Sequence, residues 1–326
     1  MKRNAAIELL RCVLMFLIVA DHCYYHGIFK ESQVAWTALF TTFVLWHVDC
    51  FVAISGWFGI KFSLKKFWRI YAQVLFYSLL SFVFGGKFDI TGGWFGGTYL
   101  FLMMIAPLLN LMIEKLVTLP RKDILFYWGL FSGGIVLSWV PGHLFTAVDP
   151  RGIDGGSSIM MFIFLYFTVR IISLLDLSFS RKVLVSAIGG GYLSIFILAA
   201  FQYVKCYLRG ISMPGSSFLV YHCYSAPHIW IIAIAVLVYV AKYVTISERF
   251  ANIVRFCSPS MFAIYLIHDT TSFGKLFYII PEEWLSLHTS LHPAVIILIC
   301  SVLTYCICLA IDIIRRGLFY LARLNR

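Results

Sequence analysis

The sequence predicts an all-α integral membrane protein with about ten transmembrane helices and both termini in the cytoplasm. Three observations predict this class: the composition, the length of the apolar runs and the distribution of basic residues. Of the 326 residues, 61% are hydrophobic and 13% are charged, and the mean hydropathy is +0.88. This composition excludes an ordinary water-soluble domain. Because the sequence contains no fixed-period repeat and no linker, we expect residues 1–326 to form a single domain.

Ten apolar runs are each long enough to cross a hydrocarbon core of about 30 Å. They cover residues 6–27, 35–60, 66–85, 97–114, 123–140, 158–176, 183–204, 226–244, 259–280 and 291–314. The stretches between them contain Pro, Gly and polar residues, which are typical of loops. The sequence therefore predicts ten helices joined in series.

The basic residues support this count independently of hydropathy. With a cytoplasmic amino terminus, 18 of the 26 Lys and Arg residues fall on the inner side and six on the outer side, and Arg11 and Arg170 fall within spans. This bias follows the positive-inside rule. The net charge of +11 then reflects topology and contact with anionic membrane lipid rather than binding of nucleic acid. The nine cysteines have neither metal-site spacing nor a disulfide framework, so we expect no bound metal.

The first helix contains two ionisable residues that make it a candidate active site. Arg11 and His22 are eleven positions apart, so they share one helix face at a separation of about 16 Å along the axis. Ionisable residues within a span usually face the bundle interior and mark a substrate or proton path. The alternative is that each side chain extends to the membrane interface on its own side.

The second and third helices carry small residues followed by a basic cluster. Ser55, Gly56 and Gly59 favour close helix approach. Lys66 and Arg69 follow, spaced i, i+3 at the start of the third helix. Two interpretations of this pair stay open: an anion site that grips phosphates, or a determinant of topology.

Further histidines lie in apolar surroundings. His268, three residues after Tyr265, lies about 12–15 Å into the ninth predicted helix, a depth at which a polar side chain needs a partner. A structural hydrogen bond to Tyr or to the backbone is one explanation for it, and a functional role is the other. His47 and Asp49 lie on the second helix, and residues two apart do not share a face, so at most one is expected to reach His22.

Four motifs in this order resemble the acyltransferase-3 family of bacterial membrane O-acyltransferases, over nearly the whole chain. The first is Arg11 with His22, and the second is Ser55-Gly56 followed by the cluster that ends in Arg69-Ile70-Tyr71. The third is Leu108-Leu109-Asn110 after Pro107, and the fourth runs from Ser260 to Tyr265-Leu266-Ile267-His268. One departure is Lys66, where the family often has Arg, and Lys lacks the bidentate fork of a guanidinium.

The resemblance implies transfer of an acyl group, most commonly acetyl, from cytoplasmic acyl-CoA to a hydroxyl of a surface or exported glycan, in the bacterial inner membrane. His22 would act as general base, or carry the acyl group transiently, and Arg11 would bind the donor or stabilise the oxyanion. Lys66 and Arg69 would bind CoA phosphates. The accessory candidates are Ser55, Tyr265, His268, His47 and Asp49.

The long outer connections 141–157 and 205–227 are candidates for acceptor binding, because loops of that length are uncommon unless they have a function. The alternative is that they only cap helix ends. A rival function is a transporter or flippase for a glycan or lipid precursor, with Arg11 and His22 as ion-coupling groups. The sequence does not identify the acceptor sugar. A succinyl group instead of acetyl, and assembly into a homo-oligomer, are alternatives that stay open.

Overall fold

A computed structural model describes residues 4–27, 35–140, 156–210 and 222–321, and these residues are helical with short connections. Helices α1 to α6 are Ala5–His26, Ala35–Val44, Trp46–Phe58, Leu64–Val83, Gly93–Leu116 and Arg121–Trp139. Helices α7 to α9 are Ile159–Leu174, Arg181–Leu208 and Pro227–Tyr243. Helices α10 to α13 are Glu248–Cys257, Met261–Tyr265, Leu276–His288 and Pro293–Leu321. A 3₁₀ turn, Ser258–Ser260, joins α10 to α11, and a π-helical turn, Leu266–Thr270, follows α11.

Within the described residues, five helical segments are long and apolar enough to cross a membrane. They are Phe40–Phe58, Gly93–Leu116, Arg181–Leu208, Glu248–Thr270 and Pro293–Leu321. Helices α7 and α9 are apolar but shorter. Many large apolar side chains on α5 and α8 are exposed, including Leu108, Leu111, Leu193 and Ile197, as expected of surfaces that contact lipid. The described residues agree with an all-α membrane protein, and the number of crossings and the side of each terminus remain predictions.

Two of the predicted spans differ from the structure. The run 35–60 is divided at Leu45 into α2 and α3. The prediction of one helix over 259–280 is wrong, because the helical segment runs from Glu248 to Thr270 and α12 begins only at Leu276. Helix α10 is strongly amphipathic and includes charged residues, so a search for apolar runs does not detect it. At the other end the chain turns back at Gly274, where a Cβ would collide with the carbonyl of Ile267.

The chain divides into two compact units, and the first is drawn from Met1–Gln33, Ser63–Gly97 and Thr245–Arg326. In this unit α1 packs against α10, α11, α12 and α13. The side chain of Asn4 caps α1 by accepting hydrogen bonds from the backbone amides of Ala6 and Ile7 at 3.0 and 3.4 Å. The α1 face that carries Ile7, Leu14 and Ile18 is buried, so burial of this face fixes the rotation of α1 about its axis.

The second unit is drawn from Val34–Phe62 and Thr98–Val244. Here α3 packs against α7 and α9, and α8 packs against α9. A Cβ on Gly56 would lie 2.7 Å from the carbonyl oxygen of Tyr166, so the backbones of α3 and α7 approach closely at this glycine. Glycine permits this close approach because it has no side chain, as predicted from the small residues of the second span.

Candidate active site

The first unit brings His22 of α1 against His268 of the π-helical turn. His22 Nδ1 lies 3.0 Å from His268 Nε2, although the two residues are 246 positions apart in the chain. His268 is fully buried. Its other ring nitrogen, Nδ1, lies 2.6 Å from the carbonyl oxygen of Ile264. Each polar atom of the His268 ring therefore has a partner, which a buried imidazole needs.

These two hydrogen bonds determine the proton positions of the neutral pair. A carbonyl oxygen can only accept, so His268 Nδ1 carries the hydrogen and donates it to Ile264. His268 Nε2 is then an acceptor, and His22 Nδ1 must donate to it. In this tautomer the lone pair of His22 is on Nε2. The arrangement gives His22 the protonation state that a general base requires.

A carboxylate lies beside the histidine pair. Asp269 Oδ1 is 3.5 Å from His22 Nδ1 and 4.0 Å from His26 Nε2. His22 and His26 are one helical turn apart on α1, and their rings meet edge to face at 5.5 Å between centroids. The negative charge of Asp269 would stabilise an imidazolium on α1 by Coulombic attraction. Asp269 and His26 are not among the residues predicted from the sequence, although the i, i+4 spacing of His22 and His26 is a usable signal.

Tyr265 belongs to the same cluster. Its ring lies 6.3 Å from the His268 ring and 5.6 Å from the ring of Phe95. A Cβ on Gly93 would lie 2.6 Å from the Tyr265 hydroxyl oxygen, so this hydroxyl packs against the backbone where α5 begins. Gly93 has a φ of +70°, a conformation that also favours glycine. Of the sequence candidates, His22, His268 and Tyr265 are therefore close together in the first unit.

The π-helical turn positions the histidine. His268, Thr270 and Thr271 each donate a side-chain hydrogen bond to the carbonyl four residues earlier, on Ile264, Leu266 and Ile267. Such bonds compete with the regular backbone pattern and widen the turn. Single π-helical turns are frequent at functional sites.

Arg11 lies at the other end of α1, in an ion pair with Glu8. Arg11 Nη1 is 2.8 Å from Glu8 Oε1, and the two side chains are 28% and 3% exposed. Burial of a carboxylate is costly unless it is paired, so the pair stabilises Glu8 and fixes the guanidinium. Eleven helical residues put Arg11 about 16 Å from His22 along the axis, so Arg11 does not contact that imidazole.

The remaining candidates lie elsewhere. Lys66 and Arg69 are exposed in the first two turns of α4, whose cap is the Ser63 hydroxyl, an acceptor for the Lys66 amide at 3.3 Å. Ser55, His47 and Asp49 lie on α3 in the second unit. Ser55 Oγ is 3.1 Å from the Tyr99 hydroxyl, and His47 and Asp49 are buried. No group of three metal-ligating side chains occurs within the residues that the structure describes.

Parts of both acceptor-loop candidates lie outside the described residues, including His143, Asp149, Arg151, Asp154 and Tyr221. The described residues at the edges of these loops include His222, whose Nδ1 is 2.9 Å from Nε2 of His228. This contact places His222 against the first turn of α9. Acceptor binding by the loops stays a prediction.

Comparisons with known proteins identify the family. The family model of the acyltransferase-3 proteins, described as an acyltransferase domain, matches residues 4–313. The match covers nearly the whole chain and includes both histidines of the pair. No curated protein and no solved structure matches the chain.

Proposed function

We propose that this chain, which belongs to the acyltransferase-3 family and is therefore a membrane acyltransferase, transfers an acyl group from acyl-CoA to a hydroxyl of a glycan. We further propose that the group is acetyl, that the donor arrives from the cytoplasm, and that the acceptor is a surface or exported glycan outside the bacterial inner membrane. The observation that carries the proposal is the His22–His268 pair, because its tautomer gives His22 a basic nitrogen. Family membership favours acyl transfer over the rival transporter.

In the proposed reaction, His22 Nε2 takes the proton of the acceptor hydroxyl while the hydroxyl oxygen attacks the thioester carbonyl carbon. The C–S bond of the tetrahedral intermediate then breaks, and the CoA thiolate takes the proton back from the imidazolium. The products are an ester and free CoA. His268 holds the His22 ring in the required tautomer, and Asp269, 3.5 Å from Nδ1, stabilises the transient imidazolium.

Arg11, Lys66 and Arg69 are assigned to the donor. Guanidinium groups do not release a proton in proteins, so Arg11 serves as a hydrogen-bond donor rather than as an acid. The ion pair with Glu8 restricts the orientation of the N–H groups of the Arg11 guanidinium. Lys66 and Arg69 are exposed at the start of α4, where phosphates can approach them.

The test is transfer of labelled acetyl from acetyl-CoA to isolated cell-envelope glycan by membranes that contain the protein. We expect His22→Ala to lower the rate by about a hundredfold to ten-thousandfold, the range for loss of a general base. The matched control is His288→Ala, since His288 is exposed at the end of α12. A wild-type rate in the His22 variant would exclude the imidazole from the mechanism. Movement of unmodified glycan without label transfer would favour the transporter.

A further inference from the structure

A second polar cluster lies in the second unit, where the end of α3 meets α5 and α7. The amide of Ile60 donates to the Tyr166 hydroxyl at 2.8 Å, and that hydroxyl donates to Asn110 Oδ1 at 2.7 Å. Asn110 Nδ2 donates to the carbonyl of Ile60 at 3.0 Å, which closes the ring of hydrogen bonds. The backbone after α3 is therefore fixed by side chains from two other helices.

Arg170 lies one turn after Tyr166 on the same face of α7, against this fixed backbone. A Cβ on Gly59 would lie 2.7 Å from Arg170 Cζ, 2.9 Å from Nη1 and 3.0 Å from Nε. Gly59 also has a φ of +70°, a backbone conformation that favours glycine. A side chain at this position would in addition collide with the guanidinium. The guanidinium therefore packs against the backbone of Gly59.

The charge of Arg170 has no counterpart among the described residues. Its Nε is buried without a hydrogen bond, and no carboxylate in the described part of the chain forms an ion pair with it. Asp176, near the end of α7, instead pairs with Lys242 at 3.2 Å. A guanidinium has five N–H donors, and leaving them unsatisfied in a partly buried site is costly.

Four other arginines in the described residues have partners in the structure. Arg315 donates to Asp312 at 2.6 Å, and Arg255 donates to Glu248 at 3.1 Å. Arg316 donates to the carbonyl of Phe256 at 2.8 Å. Arg181 lies over the Tyr243 ring at 4.9 Å. Arg170 differs from these four residues in that its buried Nε has no hydrogen-bond partner among the described residues.

We propose that Arg170 binds a phosphate group at the end of α3. The planar fork of a guanidinium matches phosphate oxygens bidentately. The exposed Lys61 follows Ile60 directly and adds positive charge to the same stretch of chain. Two sources supply this chemistry: the phosphates of acyl-CoA, an assignment that rests on the proposed function, and the headgroup of an anionic lipid. Arg170 belongs to the second unit, whereas Lys66 and Arg69 belong to the first.

The experiment uses the purified full-length protein as wild type, Arg170→Gln and Arg170→Lys, with Arg181→Gln as matched control. Calorimetry measures the affinity for CoA and for pantetheine, which lacks phosphate. Native mass spectrometry measures retention of phosphatidylglycerol against diacylglycerol, which also lacks phosphate. Thermal unfolding verifies that each variant is folded, and Arg170→Lys keeps the charge if Arg170→Gln is unstable.

If the phosphate comes from the donor, Arg170→Gln weakens CoA binding by about tenfold to a hundredfold, as expected for loss of a charged hydrogen bond, and leaves pantetheine binding unchanged. Arg170→Lys then loses less. If the phosphate comes from lipid, Arg170→Gln loses phosphatidylglycerol and keeps CoA affinity. Unchanged CoA affinity together with unchanged lipid retention would overturn the site. If the wild-type protein does not bind CoA but retains phosphatidylglycerol, and Arg170→Gln loses that lipid, the proposed acyl donor is refuted and the phosphate site at Arg170 is supported.

Discussion

Two substitutions at His268 separate its two hydrogen bonds. A glutamine amide reaches about the position of the imidazole Nε2, so His268→Gln offers His22 an acceptor oxygen and loses the bond to Ile264. An asparagine amide reaches about the position of Nδ1, so His268→Asn keeps a donor for the Ile264 carbonyl and removes the acceptor that lies 3.0 Å from His22 Nδ1, which leaves Asp269 Oδ1 at 3.5 Å. Both substitutions remove part of a fully buried ring, so they create cavities of the same kind.

The expected magnitudes follow from the hydrogen bond that each variant retains. The 3.0 Å bond between His22 and His268 selects the tautomer with the lone pair on Nε2. Loss of an acceptor costs about 1–3 kcal/mol, which corresponds to about fivefold to 150-fold in rate. Asp269 Oδ1, 3.5 Å from the same nitrogen, still favours the tautomer with the lone pair on Nε2, so the deficit stays within this range. We expect His268→Asn to lose about fivefold to 150-fold and His268→Gln to lose less.

The assay is label transfer from acetyl-CoA to glycan, with the turnover number and the Michaelis constant measured separately across pH. If His268 acts through His22, the Asn variant loses turnover at an unchanged Michaelis constant for acetyl-CoA. Equal activity of the two variants, or a more active Asn variant, would refute the tautomer argument.

Three further predictions concern topology, packing and stability. Reporter fusions at both termini should report the cytoplasm, and an external carboxyl terminus would exclude the ten-crossing topology. Gly56→Ala should lower the free energy of unfolding by about 1–3 kcal/mol through overpacking against Tyr166, measured by thermal unfolding, whereas Gly134→Ala, where a Cβ meets nothing within 4 Å, should not. Partial burial raises the pKa of Asp89, but hydrogen bonds from Thr91 and Gly93 outweigh it and hold the pKa below the usual 3.8. The stability from this carboxylate is present above that usual pKa and is lost as pH falls through the lowered value, so acid should destabilise the wild type more than Asp89→Asn; equal acid sensitivity would contradict this.

The sequence was sufficient to select both histidines of the candidate site, because each is an imidazole in an apolar run. Their pairing could not be predicted, since it depends on contact between residues 246 positions apart. Most of the individual helices were recognisable from apolar runs. The exceptions were the run 35–60, which is divided at Leu45, and the segment Glu248–Thr270, whose first half is amphipathic and whose π-helical turn has no hydropathy signal.

Arg170 illustrates a different limit of sequence reasoning. The charge count placed it within a span, but nothing in its own neighbourhood in the sequence indicated a role. Its significance comes from Gly59 and from the absence of a paired carboxylate in the described residues, and both require the packing of α3 against α7. The motif residue Asn110 likewise gains meaning only through its bonds to Tyr166 and Ile60.

The π-helical turn after α11 has a consequence for how neighbouring residues share one target. In a regular α-helix, consecutive side chains diverge by about 100°, so His268 and Asp269 would point to different neighbours. A wider turn reduces this angle, and both residues come within 3.5 Å of a single nitrogen of His22. Removing one residue from this turn would restore the α-helical angle and separate the imidazole contact from the carboxylate contact. The length of this short segment therefore determines which side chains contact His22 as directly as the identity of its residues does.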